Sequence, residues 1–248
     1  MENSVVVGRV GSIWHYPVMG LQGEQLNSVA VLELGVKGDR RYALYDKRAQ
    51  GVIDVTRWSY DWGETTAVPN MLELQAHILS DFSSVLLTLL DGTKIASNDP
   101  RLCSVLSDFL GREVTLIELP SIMDDKAKRG RAIHLITTSS LSELRRSCPL
   151  GNFDPRRFRP NLVIETIDDI VGFAEESWVG KTIQIEEEVM LRIEKPTDRC
   201  VMTTMKQGEI SYDSRILETL AQNHGILGVL CRVTSPGIIQ VADTARLL

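Results

Sequence analysis

Residues 5–14 (Val5-Val6-Val7-Gly8-Arg9-Val10-Gly11-Ser12-Ile13-Trp14) alternate loosely between apolar and small or polar positions, which predicts a first strand. Tyr16-Pro17-Val18-Met19-Gly20 follows as a turn-prone stretch. Val29-Ala30-Val31-Leu32-Glu33-Leu34 predicts a second strand, and Gly35-Val36-Lys37-Gly38-Asp39 a turn into a third, Arg41-Tyr42-Ala43-Leu44-Tyr45-Asp46. Short β-rich segments joined by glycine-containing turns point to a sandwich or barrel. From about Thr66 the texture changes. His77-Ile78-Leu79 and Val85-Leu86-Leu87-Thr88-Leu89 predict strands, the second ending in an Asp91-Gly92 hairpin turn into Thr93-Lys94-Ile95. Asp99-Pro100 marks a helix start. Leu102, Val105, Leu106 and Phe109 then recur at spacings of three and four, and Gly111 closes the helix. Val114-Thr115-Leu116-Ile117 is a further strand.

Pro120 to Arg131 is charged and contains glycine, so it is expected to be a connector. It places a domain boundary between residues 118 and 119, giving domains 1–118 and 119–248. The second half opens on the apolar strand Ile133-His134-Leu135-Ile136, then a polar run, then an amphipathic helix through Leu141 and Leu144. Leu162-Val163-Ile164-Glu165, Thr182–Ile185 and Val189–Ile193 are expected to be extended, with the last strand stopping near Pro196, which cannot donate to a ladder. A helix near Asp213 to Asn223 and a last strand pair around a Pro236-Gly237 turn complete the pattern. The expected class is mixed α+β and mostly β. It combines a barrel-like second domain with a β-rich first domain carrying a small α/β excursion.

The chain has 248 residues, 43% of them hydrophobic, enough for two modest packed domains. Its net charge of −6 and pI of about 5.3 argue against a general nucleic-acid or membrane-surface binder. No apolar run reaches the roughly 18–20 residues of a membrane helix. Met1-Glu2-Asn3-Ser4 lacks the features of a signal peptide, so a cytoplasmic location is expected. The four cysteines, Cys103, Cys148, Cys200 and Cys231, form no C-x-x-C pair, which argues against a zinc ribbon or a cysteine-clustered iron–sulfur site. Cys103 and Cys231 are expected to behave as small buried hydrophobes, and His134, flanked by apolar residues, as a core histidine.

Three segments carry candidate chemistry. Cys200 follows Asp198-Arg199 at an expected strand end, where a neighbouring positive charge favours thiolate, a nucleophile and soft-metal ligand. Thr137-Thr138-Ser139-Ser140 lies between a strand and a helix, where hydroxyls and helix-start N–H groups bind an anion or simply cap the helix. Asp154-Pro155-Arg156-Arg157-Phe158-Arg159-Pro160-Asn161 is either a rigid guanidinium array suited to phosphate or a solvated charged loop.

In order, the chain carries Y-P-V, G-D-R, T-T-S-S-L, R-R-F-R-P-N-L-V-I, F-x-E-x-x-W-x-G, P-T-D-R-C-x-x-T-T and P-G-I-I-Q-V-A-D. This set resembles a MOSC domain protein preceded by the MOSC N-terminal β-barrel region. It is most similar to the group of the mitochondrial amidoxime-reducing component and its bacterial relatives. The resemblance spans nearly the whole chain, and R-F-R-P-N with D-R-C are its most specific elements. It implies a molybdenum cofactor, a molybdopterin-type pterin held between the two halves, with Cys200 as thiolate ligand to the metal. It further implies that Arg40 meets the pterin phosphate region and that Arg159 and Asn161 bind the pterin. Thr137, Thr138, Ser139 and Ser140 line the cofactor in that reading, and Asp198 and Arg199 approach it. The implied reaction reduces small N-hydroxylated or N-oxide substrates. With no ferredoxin-like extension in the chain, electrons would come from a separate donor protein, of ferredoxin or cytochrome type with its reductase.

The chain departs from the family pattern at Met19-Gly20, where a Lys-Ser pair is usual, and at Ala242, where the closing motif has glycine. The loss of the lysine keeps an alternative open: a non-redox carrier using Cys200 as persulfide or cofactor anchor. A silent barrel binding a partner or an anion is a third expectation.

Overall fold

The computed structural model describes residues 4–53, 68–79, 84–119 and 132–248. The expected connector 120–131 lies outside them, as does Thr66.

The alternating stretch at the start forms β1 (Val5–His15), and it is not confined to the first half of the molecule. It pairs antiparallel with both β12 (Leu162–Thr166) and β17 (Thr244–Leu247). The other ring members are β11 (Ile133–Thr137), β13 (Thr182–Ile185), β14 (Val189–Asp198) and β15 (Ile226–Ser235). The order β12-β11-β15-β14-β13-β17-β1 returns to β12, so seven strands close into a barrel. Closure gives every ring strand a neighbour on both sides, which an open sheet cannot do. Period-two positions fill the interior: Ile133 and Leu135, Leu162 and Ile164, Leu191 and Ile193, Val229 and Cys231, while Val10 and Ile13 of β1 are three apart because the register shifts between Val10 and Ser12. Cys231 is thus the buried hydrophobe expected of it, and burial pushes its thiol well above the usual range. Cys103 is only half-buried, with Sγ 3.4 Å from the Thr115 hydroxyl.

The first half adds β2 (Glu24–Leu26) beside β1 and, among the described residues, the strands of three small three-stranded sheets, one of which takes its third strand from the second half. β5 (Tyr42–Asp46) lies between β6 (Gly51–Val52) and β10 (Val114–Glu118). The hairpin expected at Asp91-Gly92 joins β8 (Val85–Thr88) to β9 (Lys94–Ala96), with β7 (Gln75–Ile78) alongside. Helix α1 (Leu102–Leu110) ends on Gly111 at φ 66°, as the spacing predicts. These elements share a second core through Leu44, Leu72, Leu87, Leu102 and Leu106, onto which Met202 and Met205 of the second half pack. Helices α2 (Thr138–Ser147) and α3 (Arg215–Gln222) cover β11 and β12 through Leu141, Leu144, Ile216 and Leu220.

Two strand expectations need correction. β14 does not stop near Pro196 but continues to Asp198, with Pro196 opposite Val229. The register slips between Ile193 and Lys195 and again between Pro196 and Asp198, and a bulged ladder tolerates the missing N–H. β13 pairs with β14 only over residues 189–192, so near Pro196 one side of the strand is a local edge. The strands flanking Pro236-Gly237 are also not a pair. β16 (Gly237–Gln240) leaves the barrel to pair with β3 (Ser28–Leu32), which in turn carries β4 (Gly35–Val36).

Gly228 in β15 is required twice over. Its φ is +76°, and a Cβ there would lie 2.6 Å from the Leu135 carbonyl oxygen and 2.7 Å from His134 Nε2. Gly228→Ala is therefore expected to cost on the order of 1–3 kcal/mol, read as a lowered urea midpoint with unchanged slope.

Candidate functional site

Four of the expected site residues converge at the barrel mouth from three separate segments. The turn after β4 carries Asp39 and Arg40, and Arg40 sits at φ 49°. Arg159, at the end of a single 3-10 turn (Pro155–Phe158), sits at φ 52°. Left-handed backbone at a non-glycine residue is strained and concentrates at functional positions. The strain at Arg40 is held by hydrogen bonds: its N–H donates to the Tyr16 carbonyl at 2.7 Å, and the Asp39 carboxylate accepts from the Tyr16 N–H at 2.8 Å. The Asp39 carboxylate also bonds the Arg40 guanidinium.

Asn161 is the rivet of this region. Its buried side chain accepts from the His134 N–H at 3.1 Å and from Arg40 Nη1 at 3.4 Å, and donates to the Trp14 carbonyl at 3.3 Å. It ties β1, β11 and the Arg159 segment together. Arg40 Nη2 reaches the Arg159 carbonyl at 3.3 Å, which also faces His134 Nδ1 at 3.3 Å. His134 Nε2 meets Arg199, which can only donate, so Nε2 accepts and Nδ1–H donates to the Arg159 carbonyl. Burial, with Arg199 and Arg40 nearby, holds His134 well below its ordinary range and therefore neutral.

Arg199 lies at the end of β14, beside Cys200, but its guanidinium turns inward. It donates to the Leu227 carbonyl at 2.8 Å, to the Phe158 carbonyl at 3.0 Å, and to His134. Burial lowers it to about 9, with Cys200 and Glu175 opposing the shift. Arg199 is thus a brace for the loop rather than a free cation at the thiol. Asp198 is exposed at the strand end. Cys200 is half-buried and opens a 3-10 turn (Val201–Thr204), where its carbonyl accepts from the Thr203 N–H at 3.1 Å and hydroxyl at 2.9 Å. Among the described residues its Sγ has no hydrogen-bond partner.

The three arginines of R-R-F-R do not form one array. Arg156 is bound by Asp154 and Glu209. Arg157 is fully buried and donates to the carbonyls of Asn152, Thr203, Met205 and Ser211, which fixes the turn that follows Cys200. Arg157→Met would remove that donor from all four carbonyls, the buried Thr203 carbonyl among them, and is expected to lose on the order of 3 kcal/mol in urea unfolding.

Arg159 alone remains uncommitted. Its guanidinium stacks over the Tyr16 ring at 4.2 Å, its Nη2 is buried without a partner among the described residues, and burial lowers it to about 10. The Tyr16 hydroxyl is likewise buried and unpartnered, and burial raises it well beyond its usual range, so it stays an O–H donor. Both residues line a cavity of about 330 Å³ between the two halves, with Trp14, Glu24, His77 and Gln207.

Thr137, Ser139 and Ser140 do not join this group. Their hydroxyls are buried, with Thr137 and Ser140 closing on Glu175 at 2.6 and 2.5 Å and Ser139 on Thr137 at 2.9 Å. Thr137 also caps α2 by accepting from the Ser140 N–H. Thr138 faces Thr166, hydroxyl to hydroxyl at 3.1 Å. The helix-cap reading of this run is seen at Thr137. Burial raises Glu175 above the ordinary carboxylate range against those hydroxyl hydrogen bonds. Glu175 lies in F-x-E-x-x-W and Tyr16 in Y-P-V, and neither position was singled out from the sequence. Met19-Gly20 forms the centre of a turn in which Leu21 N–H bonds the Val18 carbonyl at 3.3 Å and Gly20 adopts φ +77°. Positive φ at that position is what a type II turn asks of glycine. The Met19 N–H is taken by the Tyr42 carbonyl at 2.8 Å.

A family profile for the MOSC domain matches residues 123–246. The YuaD protein from Bacillus subtilis is similar in fold, with a TM-score of 0.53 and 13% identity over 100% of this chain and 98% of that one. YiiM from Escherichia coli aligns at a TM-score of 0.42 and 12% identity over 97% of this chain and 69% of that one. No curated protein matches. Among the described residues no helix is long and apolar enough to cross a membrane. With half its length under that profile, the chain belongs to the MOSC domain family, which is associated with molybdenum-cofactor-binding proteins.

Proposed function

We propose that this protein is a molybdenum-cofactor-dependent oxidoreductase that reduces N-hydroxylated or N-oxide substrates. The observation that carries the reading is Arg159: a buried cation with an unpartnered Nη2, beside Arg40 and over a cavity between the two halves. A buried charge without a counter-ion is costly, and a phosphate supplies one in the geometry a guanidinium fork prefers. The donor set therefore fits the phosphate of a pterin cofactor. Arg159 and Arg40 hold that anion, Asn161 fixes both segments, and Arg199 and Arg157 brace the turn that presents Cys200. Cys200 offers one soft thiolate, as molybdenum accepts. When bound, the cofactor supplies the two-electron redox chemistry, and the protein orients it. Overall, N–O cleavage consumes two electrons from a separate donor protein and two protons, and the oxygen leaves as water.

The hydroxyls of Thr137 and Ser140, turned to Glu175, and the missing lysine at the Met19-Gly20 turn favour a second reading: a carrier that binds the cofactor or a persulfide at Cys200 without turnover. Protein made in a host that synthesises the cofactor decides between them. Stoichiometric molybdenum with N-hydroxy reduction supports the oxidoreductase. Labile sulfur on Cys200 without reduction supports the carrier. Folded protein without molybdenum overturns the first reading.

A further inference from the structure

The mouth of the cavity carries a group of titratable side chains that the reductase reading does not use. Glu24 of β2 bridges two histidines: His15 of β1 at 2.9 Å and His77 of β7 at 3.0 Å, each through Nδ1. The Ile78 N–H also donates to Glu24 at 3.3 Å. Burial pushes the Glu24 carboxyl up, but the two imidazoles and this N–H outweigh it and hold the group below its ordinary range. Glu24 is therefore an anion at neutral pH, an acceptor only, so both Nδ1 atoms carry hydrogens. That leaves Nε2 as the site of protonation on each ring.

The two rings are not equivalent. His15 is 1% exposed and its Nε2 is buried without a partner. A hydrogen there would be a buried donor without an acceptor. His77 is 45% exposed by side chain and lines the same cavity as Arg159 and Tyr16. The Glu24–His77 pair thus has the form of an oriented imidazole: a carboxylate fixes one nitrogen of a ring that lines the cavity.

We propose that His77, oriented by Glu24 and His15, makes anion binding in this cavity proton-linked: a phosphate-type dianion settles on Arg159 and Tyr16, and His77 takes up a proton from solvent at Nε2 as it does so. The inference rests on reading Arg159 as the anion-holding group of the proposed cofactor site, and it adds the regulation of that site. No covalent bond is made or broken other than the N–H.

The other charges facing His77 do not compete for this role. Arg156 is held by Asp154 and Glu209, which raises the arginine and lowers Glu209, so neither changes charge between about pH 5 and 8. Lys206 and Glu73, just before β7, form an ion pair. β8, which pairs with β7, contributes only Val85, Leu86, Leu87 and Thr88.

Sulfate is a suitable probe, since it is a dianion that does not titrate in this range. It is titrated into the full-length, metal-free chain by calorimetry from pH 5.5 to 8.5, with acetate as the carboxylate arm. In the wild type, sulfate affinity is expected to fall about three- to tenfold as pH rises, the size expected of one charge acting across a solvated cavity. His77→Gln removes the slope and keeps the weaker, high-pH binding. His77→Arg keeps the tighter binding at every pH. Arg159→Met loses sulfate throughout. Acetate binding as tightly as sulfate overturns the dianion preference. An unchanged slope in His77→Gln, or no sulfate binding by folded wild type at pH 5.5, overturns the proposal. A His77-dependent slope in a chain that never acquires molybdenum supports the proposal and sinks the reductase reading alone.

Discussion

Cys200→Ala is expected to reduce molybdenum content from one per chain to background while leaving the fold intact. The fold should survive because Cys200 contributes to the structure through its backbone. Its carbonyl receives the Thr203 bonds, and its half-buried Sγ has no hydrogen-bond partner among the described residues. The turn it opens is fixed independently by Arg157 on the Thr203 and Met205 carbonyls, and by Met202 and Met205 in the first-half core. Removing one sulfur of this kind costs no more than about 1 kcal/mol, the centre of the range that single substitutions show. The metal, by contrast, loses its only proposed protein ligand. Elemental analysis against thermal unfolding separates the two effects. Full molybdenum in Cys200→Ala would remove Cys200 from the site, and a collapsed melting curve would mean the thiol is structural.

Arg159→Met is expected to move stability and binding in opposite directions. The guanidinium is buried, has an unpartnered Nη2, and its charge is met only by the Tyr16 ring and by an Asp39 already bonded to Arg40. An apolar side chain of similar length removes that uncompensated burial. Such exchanges are neutral or stabilising. The Tm should therefore stay level or rise by a few degrees, at about 2–4 °C per kcal/mol for a chain near this size. The backbone carbonyl of residue 159 still receives His134 and Arg40, so the network around Asn161 persists. Binding should fall about ten- to a hundredfold, the effect of one charge-assisted hydrogen bond of roughly 1.5–3 kcal/mol. Cofactor content per folded chain measures this. Lower stability together with unchanged cofactor content would show that Arg159 is a structural residue.

The two variants also bear on the choice between enzyme and carrier. Both readings need Cys200, but only an enzyme needs a protein donor to pass electrons through a correctly seated cofactor. An Arg159→Met protein that still carries labile sulfur on Cys200 would favour the carrier.

Local signals settled much of this molecule before any fold was built. Alternation at residues 5–14, the Asp91-Gly92 hairpin, the Gly111 helix stop and the apolar run at 133–136 each act within a few residues, and each is found where the pattern places it. The motifs around Arg40, Arg159, Asn161 and Arg199 were legible too, because those residue types in those segments form a recognisable set. What each guanidinium does was decided only in three dimensions. Arg156, Arg157 and Arg159 are near neighbours in sequence, yet the first is salt-bridged at the cavity wall, the second bonds four carbonyls, and only the third keeps a buried nitrogen without a partner among the described residues. The same holds for Thr137 and Ser140, whose hydroxyls meet a buried Glu175 that lies 38 and 35 residues away. It holds for β1, which closes a barrel made almost wholly from the second half. It holds for His15, Glu24 and His77, which come from three strands. Sequence determines which groups are available and how the chain bends locally. Which of them become satisfied depends on partners brought together by long-range pairing, and a donor's freedom is known only when all its neighbours are.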